Sequence, residues 1–157
     1  MPIERNDKAP AFAAPATGDQ TLALENFRGR TLVLYFYPRD NTPGCTQEGE
    51  DFRDHYADFK ALNAAVVGVS RDSVKKHENF KAKHEFPFDL IADTDASICN
   101  AFGVLKEKNM YGKQHTGIER STFVIDADGV VRHVWRGVKV PEHVEEVLAA
   151  VRELQTA

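Results

Sequence analysis

The residues with the clearest capacity for chemistry form one short segment, P-R-D-N-T-P-G-C, from Pro38 to Cys45. This active-site segment joins an apolar run, Thr31 to Tyr37, to an amphipathic helical pattern that begins at the cysteine. A cysteine in the first turn of a helix meets unpaired backbone N–H groups and the positive end of the helix dipole, which favour its thiolate form. Because the thiolate is the nucleophilic form, the pattern predicts a reactive thiol at Cys45.

A helix terminus alone is too weak to make such a thiol reactive. Lowering the pKa of a free thiol from ~8.5 to ~6 requires about 3.4 kcal/mol, whereas a helix terminus contributes ~0.3–1 kcal/mol and at best ~2. Three acids follow the cysteine closely, Glu48, Glu50 and Asp51, and their like charge disfavours the anion. We therefore expect an arginine from elsewhere in the chain to complete the site.

Three positions of the active-site segment, Pro38, Thr42 and Cys45, match the Pro-x-x-x-Thr-x-x-Cys signature of the peroxiredoxins. The wording around them resembles the branch of that family called bacterioferritin comigratory protein or peroxiredoxin Q. The resemblance covers nearly the whole chain in the family's order, through the segments 9–12, 24–29, 67–73 and 117–123. It implies a thioredoxin-like fold and a peroxidase that needs no cofactor.

In this resemblance Cys45 is the nucleophile that attacks one peroxide oxygen and becomes a sulfenic acid. Arg120 occupies the position of the family's active-site arginine, which would stabilise the thiolate and donate hydrogen bonds to the peroxide. Thr42 would hydrogen-bond the thiolate and the peroxide through its hydroxyl, and Glu48 resembles the family's acidic or amide residue that positions the arginine. The same residues have plainer interpretations: a buried apolar cysteine, a solvated arginine, an N-cap threonine and an acid in a first helical turn.

Two further residues of the segment take roles from the resemblance. Pro38 would fix the loop and shield the thiolate from water, although a proline here can also simply end a strand. Backbone N–H groups near Gly44 and Cys45 would add hydrogen-bond donors.

The chain lacks both of the usual resolving cysteines of the branch. Those positions hold Glu50 and, by alignment of the segment after Ser73, Lys81. The remaining cysteine, Cys99, has apolar neighbours that favour a buried, inert thiol. We therefore expect a one-cysteine mechanism in which thioredoxin, or glutathione with glutaredoxin, reduces the sulfenic acid. An atypical two-cysteine mechanism through Cys99, and a redox sensor or holdase without turnover, stay open as alternatives.

Two other classes of cysteine enzyme fit the sequence poorly. A dithiol oxidoreductase requires Cys-x-x-Cys, and Cys45-Thr46-Gln47-Glu48 lacks the second thiol. A cysteine-dependent phosphatase requires a phosphate-binding loop with an arginine soon after the cysteine, where this chain has acids.

Amino-acid composition limits the number of domains and the classes of partner that this chain can have. The 157 residues, 42% hydrophobic and 28% charged, suit one globular domain over residues 1–157. A net charge of −4 argues against nucleic-acid binding. The first residues contain no apolar signal region and no run is long enough to span a membrane, which predicts a cytoplasmic protein.

Neither the two cysteines nor the six histidines show metal-ligand spacing, so no metal site is predicted. The resemblance implies a monomer.

The periodicity of the chain predicts the elements that position these residues. Residues 9–30 form a hairpin or capping segment, and the apolar run 31–37 is a strand buried on both faces. A helix from Cys45 ends near Asn63, a strand follows over 65–69, and Asp72 or Ser73 caps the next helix. A third strand covers 88–91, and a brief helix ends at Gly103.

The last third of the chain is predicted to contain a loop, a hairpin and a helix, in that order. Residues 104–117 carry charges and two glycines, and we expect a long loop there. Strands 121–125 and 130–135 flank a D-A-D-G turn, and Pro141 introduces an amphipathic helix. Trp135 is expected to be a core or edge aromatic residue. The order predicts an α/β protein: a mixed central sheet flanked by helices, with an N-terminal hairpin extension.

Overall fold

The computed structural model describes residues 3–110 and 112–156, so Met1, Pro2, Tyr111 and Ala157 lie outside the described residues. The strands are β1 (Ala13–Ala16), β2 (Gln20–Ala23), β3 (Thr31–Phe36), β4 (Ala64–Ser70), β5 (Asp89–Ala92), β6 (Leu105–Met110), β7 (Lys113–Ile118), β8 (Ser121–Ile125) and β9 (Val131–Arg136). The helices are α1 (Pro43–Asp54), α2 (Tyr56–Ala61), α3 (Val74–His84), α4 (Ser97–Phe102) and α5 (His143–Thr156).

Seven of these strands form one mixed sheet in the order β2-β1-β5-β4-β3-β8-β9. The central strands β3, β4 and β5 are parallel, because α1 with α2 and then α3 carry the chain back between them. Strands β8 and β9 add an antiparallel hairpin at one edge, and β1 and β2 add another at the opposite edge. The predicted mixed sheet with an N-terminal hairpin is therefore present.

Alternation along β3 divides the core into two layers. Successive residues of a strand point to opposite faces; Leu32, Leu34 and Phe36 enter one cluster, while Val33 and Tyr35 enter the other. The second layer also contains Cys45 and the apolar sides of α1, α2, α3 and α5, whereas α4 and the N-terminal hairpin cover the first. This division decides which residues can meet at the active-site segment.

Most predicted boundaries hold to within one or two residues. Ser73 is the N-cap of α3, where its hydroxyl accepts from the Lys76 N–H at 3.3 Å. Helix α4 ends at Gly103, whose φ of 67° lies in the left-handed region that glycine enters at little cost. Helix α5 starts at His143, two residues beyond Pro141.

The long loop predicted over residues 104–117 is wrong. Strands β6 and β7 form a separate antiparallel hairpin there, with Leu105 opposite Ile118 and Met110 opposite Lys113. The charged composition hides the strand pattern, because this two-stranded ribbon does not join the main sheet and needs few apolar side chains.

The helix predicted from Cys45 to about Asn63 is in fact two helices. Helix α1 begins at Pro43, two residues before the cysteine, because proline suits the first helical position, where no N–H is required. The chain breaks at His55 before α2. Cys45 therefore occupies the third position of α1 rather than the first.

None of the helices in the described ranges is long and apolar enough to cross a membrane. The assignment of residues 1–157 to a single domain stays a prediction.

Candidate active site

The pairing of β3 with β8 brings Arg120 to the active-site segment. Phe36 lies opposite Ser121 in this antiparallel pair, so Arg120 stands next to the point where β3 gives way to the segment. Arg120 directly precedes β8, and Thr122 and Val124, two and four residues later, point to the same face of the sheet; Val124 lies in the same core layer as Cys45. The register therefore directs the arginine side chain toward the sulfur.

Cys45 lies in the first turn of α1 and is almost fully buried, with 2% of its surface exposed. Within the described residues no side chain caps α1. The first-turn N–H groups of Gly44 and Cys45 therefore keep their donor capacity for another acceptor near the sulfur. The helix supplies the dipole and donors that the sequence predicts, but it also leaves the sulfur little contact with solvent.

Arg120 contacts both the nucleophile and an acid. Its Nη2 donates to the Cys45 Sγ at 3.4 Å, and its Nη1 donates to the Glu48 Oε1 at 2.6 Å. Burial lowers the pKa of Arg120, but the neighbouring Glu48 and Cys45 outweigh it and hold the pKa above its ordinary value. The guanidinium is thus the additional cation that the thiolate requires, because the helix dipole alone is too weak to stabilise it.

Glu48 is fully buried on the inner side of this arginine. Burial raises its pKa to about 7, against the opposing effect of Arg120. Its second oxygen, Oε2, has no hydrogen-bond partner among the described residues. Arg120 is partly exposed and stays charged, so Glu48 is the member of the ion pair that exchanges a proton near neutral pH.

The Thr42 hydroxyl does not make the hydrogen bond that the sequence predicts. It donates its single proton to the Arg39 carbonyl at 2.9 Å, rather than to the sulfur. Thr42 is the N-cap of α1 by its backbone, yet its side chain does not cap the helix either. The hydroxyl instead closes a turn within the active-site segment, and its oxygen retains acceptor capacity.

Pro38 and Gly44 both lie close to the arginine. Pro38 is exposed and lines a surface groove of about 370 Å³ together with Arg120, Ile118 and Val138. A Cβ atom at Gly44 would stand 3.1 Å from the Arg120 Nη2, closer than an ordinary van der Waals contact. Glycine at this position therefore makes room for the guanidinium beside the sulfur.

Cys99 is far removed from this arrangement in the fold. It is fully buried in the core layer on the opposite face of the sheet, in α4. Burial, together with Asp93, raises the pKa of its thiol well above the ordinary value. The interpretation of Cys99 as a buried thiol agrees with the structure, and its placement does not support a resolving role.

Two histidines that the sequence analysis set aside lie close to the site. His143 is buried, its Nε2 is 2.8 Å from the Thr122 hydroxyl, and the Trp135 ring meets it edge-on. Burial and the neighbouring Arg120 lower its pKa to about 4, so it is neutral at pH 7. His77 is fully buried behind the active-site segment, 2.7 Å from Asp40. Neither has a sequence signal, because their partners come from distant elements.

Comparison with known proteins supports the resemblance. A family model described as the AhpC/TSA family matches residues 6–134. The peroxiredoxin Bcp of Bacillus subtilis (strain 168) is 46% identical over 154 residues, 98% of each chain. The peroxiredoxin Bcp of Xanthomonas campestris pv. campestris is 54% identical over 135 residues, 86% of this chain and 84% of that protein.

Solved structures agree with the sequence relatives. Peroxiredoxin Q of Xanthomonas campestris superimposes with a TM-score of 0.89 at 49% identity, covering 92% of this chain and 91% of that one. The peroxidoxin BcpB of Mycobacterium tuberculosis gives a TM-score of 0.87 at 31% identity, over 97% of this chain and 98% of that one. The predicted thioredoxin-like fold is confirmed, and the chain belongs to the AhpC/TSA family, in its peroxiredoxin Q or bacterioferritin comigratory protein branch.

Proposed function

We propose that this peroxiredoxin reduces hydrogen peroxide and organic hydroperoxides to water or alcohols through Cys45, and that an external thiol restores the enzyme. The observation that carries the proposal is the Arg120 guanidinium, which donates to the Cys45 sulfur at 3.4 Å while Glu48 holds its other nitrogen. A relative from Xanthomonas campestris, its bacterioferritin comigratory protein, is described by its alkyl peroxide reduction activity.

The first step forms one S–O bond and breaks the O–O bond. The Cys45 thiolate attacks the outer oxygen of the hydroperoxide, which stays on the sulfur as a sulfenic acid, and the other oxygen leaves with the electron pair as alkoxide or hydroxide. Arg120 and the free N–H groups of the first turn of α1 donate to the oxygens as the negative charge moves. The leaving oxygen then takes a proton from water.

Four other residues support this step in the proposal. Glu48 fixes the direction of the guanidinium, and Gly44 leaves room for it. Pro38 forms one wall of the approach to the sulfur. Thr42 keeps the segment folded through its bond to Arg39, and its oxygen can accept from the peroxide O–H.

The second step uses two external thiol molecules or one dithiol. The first thiol attacks the Cys45 sulfur, forms a mixed disulfide and releases the sulfenic oxygen as water; the second thiol attacks the external sulfur of that mixed disulfide, which releases the disulfide of the two external thiols and returns the Cys45 thiol. Cys99 lies on the opposite face of the sheet, and both usual resolving positions carry ion-paired residues: Lys81 with Asp89, and Glu50 with Arg53. These placements favour an external reductant, and we propose that thioredoxin, or glutathione with glutaredoxin, reduces the protein as a monomer in a reducing cytoplasm.

An intact-mass measurement tests the proposal. The reduced protein receives one equivalent of hydrogen peroxide under non-reducing conditions, and we expect a gain of one oxygen on Cys45 that a thiol removes. Loss of two hydrogens instead would assign a Cys45–Cys99 disulfide and overturn the one-cysteine mechanism. Steady turnover with each reductant should persist in Cys99→Ser; reaction with one equivalent followed by no turnover would indicate a sensor or holdase.

A further inference from the structure

A buried polar network lies behind the active-site segment and takes no part in the chemistry above. It joins Tyr37 and Asp40 at the end of β3, Ser70 and Asp72 at the end of β4, and His77 on α3. Tyr37, Ser70 and His77 are fully buried, and Asp40 is 6% exposed. Polar groups this deep in a protein are nearly always hydrogen-bonded, because an unmatched donor or acceptor is costly there.

The hydrogen bonds of His77 fix the number of protons in this network. Its Nε2 lies 2.9 Å from the Ile91 carbonyl oxygen, which carries no proton, so Nε2 must be the donor. Its Nδ1 lies 2.7 Å from the Asp40 Oδ2. A neutral ring protonated at Nε2 presents a lone pair at Nδ1, and an ionised carboxylate also presents only lone pairs. A 2.7 Å contact between two lone pairs is repulsive, so one additional proton lies between these two atoms.

The same residues hold the active-site segment in place. The Tyr37 hydroxyl donates to the other oxygen of Asp40 at 2.6 Å, and the Asp40 backbone N–H donates to the Asp72 Oδ2 at 2.8 Å. The next residue, Asn41, has a φ of 64°, in the left-handed region. Asp40 is therefore fixed by side chain and backbone immediately before the turn from which α1 starts, three residues ahead of Pro43.

We propose that His77 is a positioning residue for Cys45: through a proton shared with Asp40 it ties α3 to the active-site segment and sets the sulfur against Arg120. The proposal rests on the proposed function, in which this contact activates the thiolate. The groups that face the pair are the Tyr37 hydroxyl just after β3, Ser70 at the end of β4 with Asp72 beyond it, and the Ile91 carbonyl from β5.

A bound cation is the competing explanation for the cluster. Asp40, Asp72 and His77 offer ligand atoms within 4.8 Å of one another. A zinc ion, about 2.0–2.2 Å from each ligand atom in tetrahedral geometry, would separate the ring nitrogen and the carboxylate oxygen by about 3.3–3.6 Å. The observed 2.7 Å is too short for an ion between them and suits a shared proton.

Two variants distinguish the effect of the extra proton itself from the effect of the hydrogen-bonded geometry that it maintains. His77→Leu removes both hydrogen bonds of the ring. Asp40→Asn keeps the geometry without the extra proton, because the amide N–H donates to the Nδ1 lone pair while the amide oxygen still accepts from Tyr37. The matched control is His133→Gln on β9, whose strand partner Val124 lies three residues beyond the Ser121 end of β8 that faces the site.

Each variant is tested by two measurements. The first is the thiolate absorbance of Cys45 at pH 7, obtained by subtracting the absorbance of the matching Cys45→Ser protein, and it requires no peroxide. The second is the rate constant for the reaction with hydrogen peroxide. We expect His77→Leu to lower the thiolate absorbance and to slow the peroxide reaction by about 10-fold or more, while Asp40→Asn and His133→Gln stay close to the parent. An unchanged thiolate absorbance and rate in a folded His77→Leu protein, or an equal loss in Asp40→Asn, would overturn the proposal.

The unmodified protein provides a test that does not depend on the variants folding. With ¹⁵N-labelled histidine, we expect NMR to detect one proton bound to the Nε2 of His77 and a second correlated with Nδ1. A proton at Nε2 alone, or one equivalent of metal in the purified protein, would overturn the shared proton. Absent peroxidase turnover with an intact thiolate and an intact Nδ1 proton would instead refute the proposed function and leave the positioning role standing.

Discussion

Replacing Glu48 by glutamine should remove a pH-dependent penalty on folding. The side chain is fully buried, and burial raises its pKa from 4.5 to about 7 despite the neighbouring Arg120. An acid whose pKa is higher in the folded state binds more protons when folded, so the free energy of unfolding falls as the pH rises between the two values. Stability is therefore lost from about pH 4.5 to about pH 7 and stays low above that range.

The size of the effect follows from the pKa shift. At about 1.4 kcal/mol for each pH unit, the wild-type protein should lose about 2–3 kcal/mol between about pH 5 and pH 8 from this group. Glutamine cannot ionise, yet its amide oxygen can still accept from the Arg120 Nη1. The free energy of unfolding of Glu48→Gln, minus that of the parent, should thus increase by this amount over the same pH range.

Urea unfolding followed by circular dichroism measures this difference. Both proteins carry Cys45→Ser, so that the thiolate does not titrate beside the carboxyl group, and all other groups cancel in the subtraction. Glu146→Gln, which removes an exposed carboxyl group of α5, is the matched control. A difference that stays constant from pH 5 to 8 would refute the raised pKa, and a decrease would mean that pairing with Arg120 outweighs burial.

Three further substitutions test contacts of Arg120 and of helix α1. Arg120→Met removes the cation 3.4 Å from the Cys45 sulfur and should lower the peroxide rate constant ~10²-fold or more in stopped-flow measurements; a loss below threefold would contradict its role. Gly44→Ala places a methyl group 3.1 Å from the Arg120 Nη2 and should slow the same reaction with little change in the urea midpoint. Gly49→Ala would press its Cβ against the Phe86 ring and should lower the free energy of unfolding in urea by ~1–3 kcal/mol; an unchanged value would contradict the close packing of α1 on Phe86.

Local patterns determined much of the fold. The apolar run 31–37 predicted a strand buried on both faces, and β3 covers Thr31–Phe36 with every residue buried. Ser73 and Gly103 marked a helix start and a helix end, because a capping hydroxyl and a left-handed glycine act within one turn. The β6–β7 hairpin was missed for the converse reason: its strands pair with each other and carry no apolar alternation strong enough to detect.

The active site, too, was only partly predictable from the sequence. The sequence placed Cys45 at a helix start and showed that the helix dipole could not suffice, so a distant arginine had to be sought; the family resemblance then indicated Arg120. The sequence could not show that the Thr42 hydroxyl donates to Arg39, because the backbone of the turn decides which acceptor its single proton reaches.

The remaining features exist only in the tertiary structure. Arg120 meets Cys45 across 75 residues because β8 pairs with β3 in one register, and a shift by one residue would turn its side chain to the opposite face. The same alternation assigns Cys45 and Cys99 to different layers of the core. Glu48 and His77 look like ordinary helical residues in the sequence. That Glu48 is buried against Arg120 and His77 against Asp40 depends on how α1 and α3 pack on the sheet.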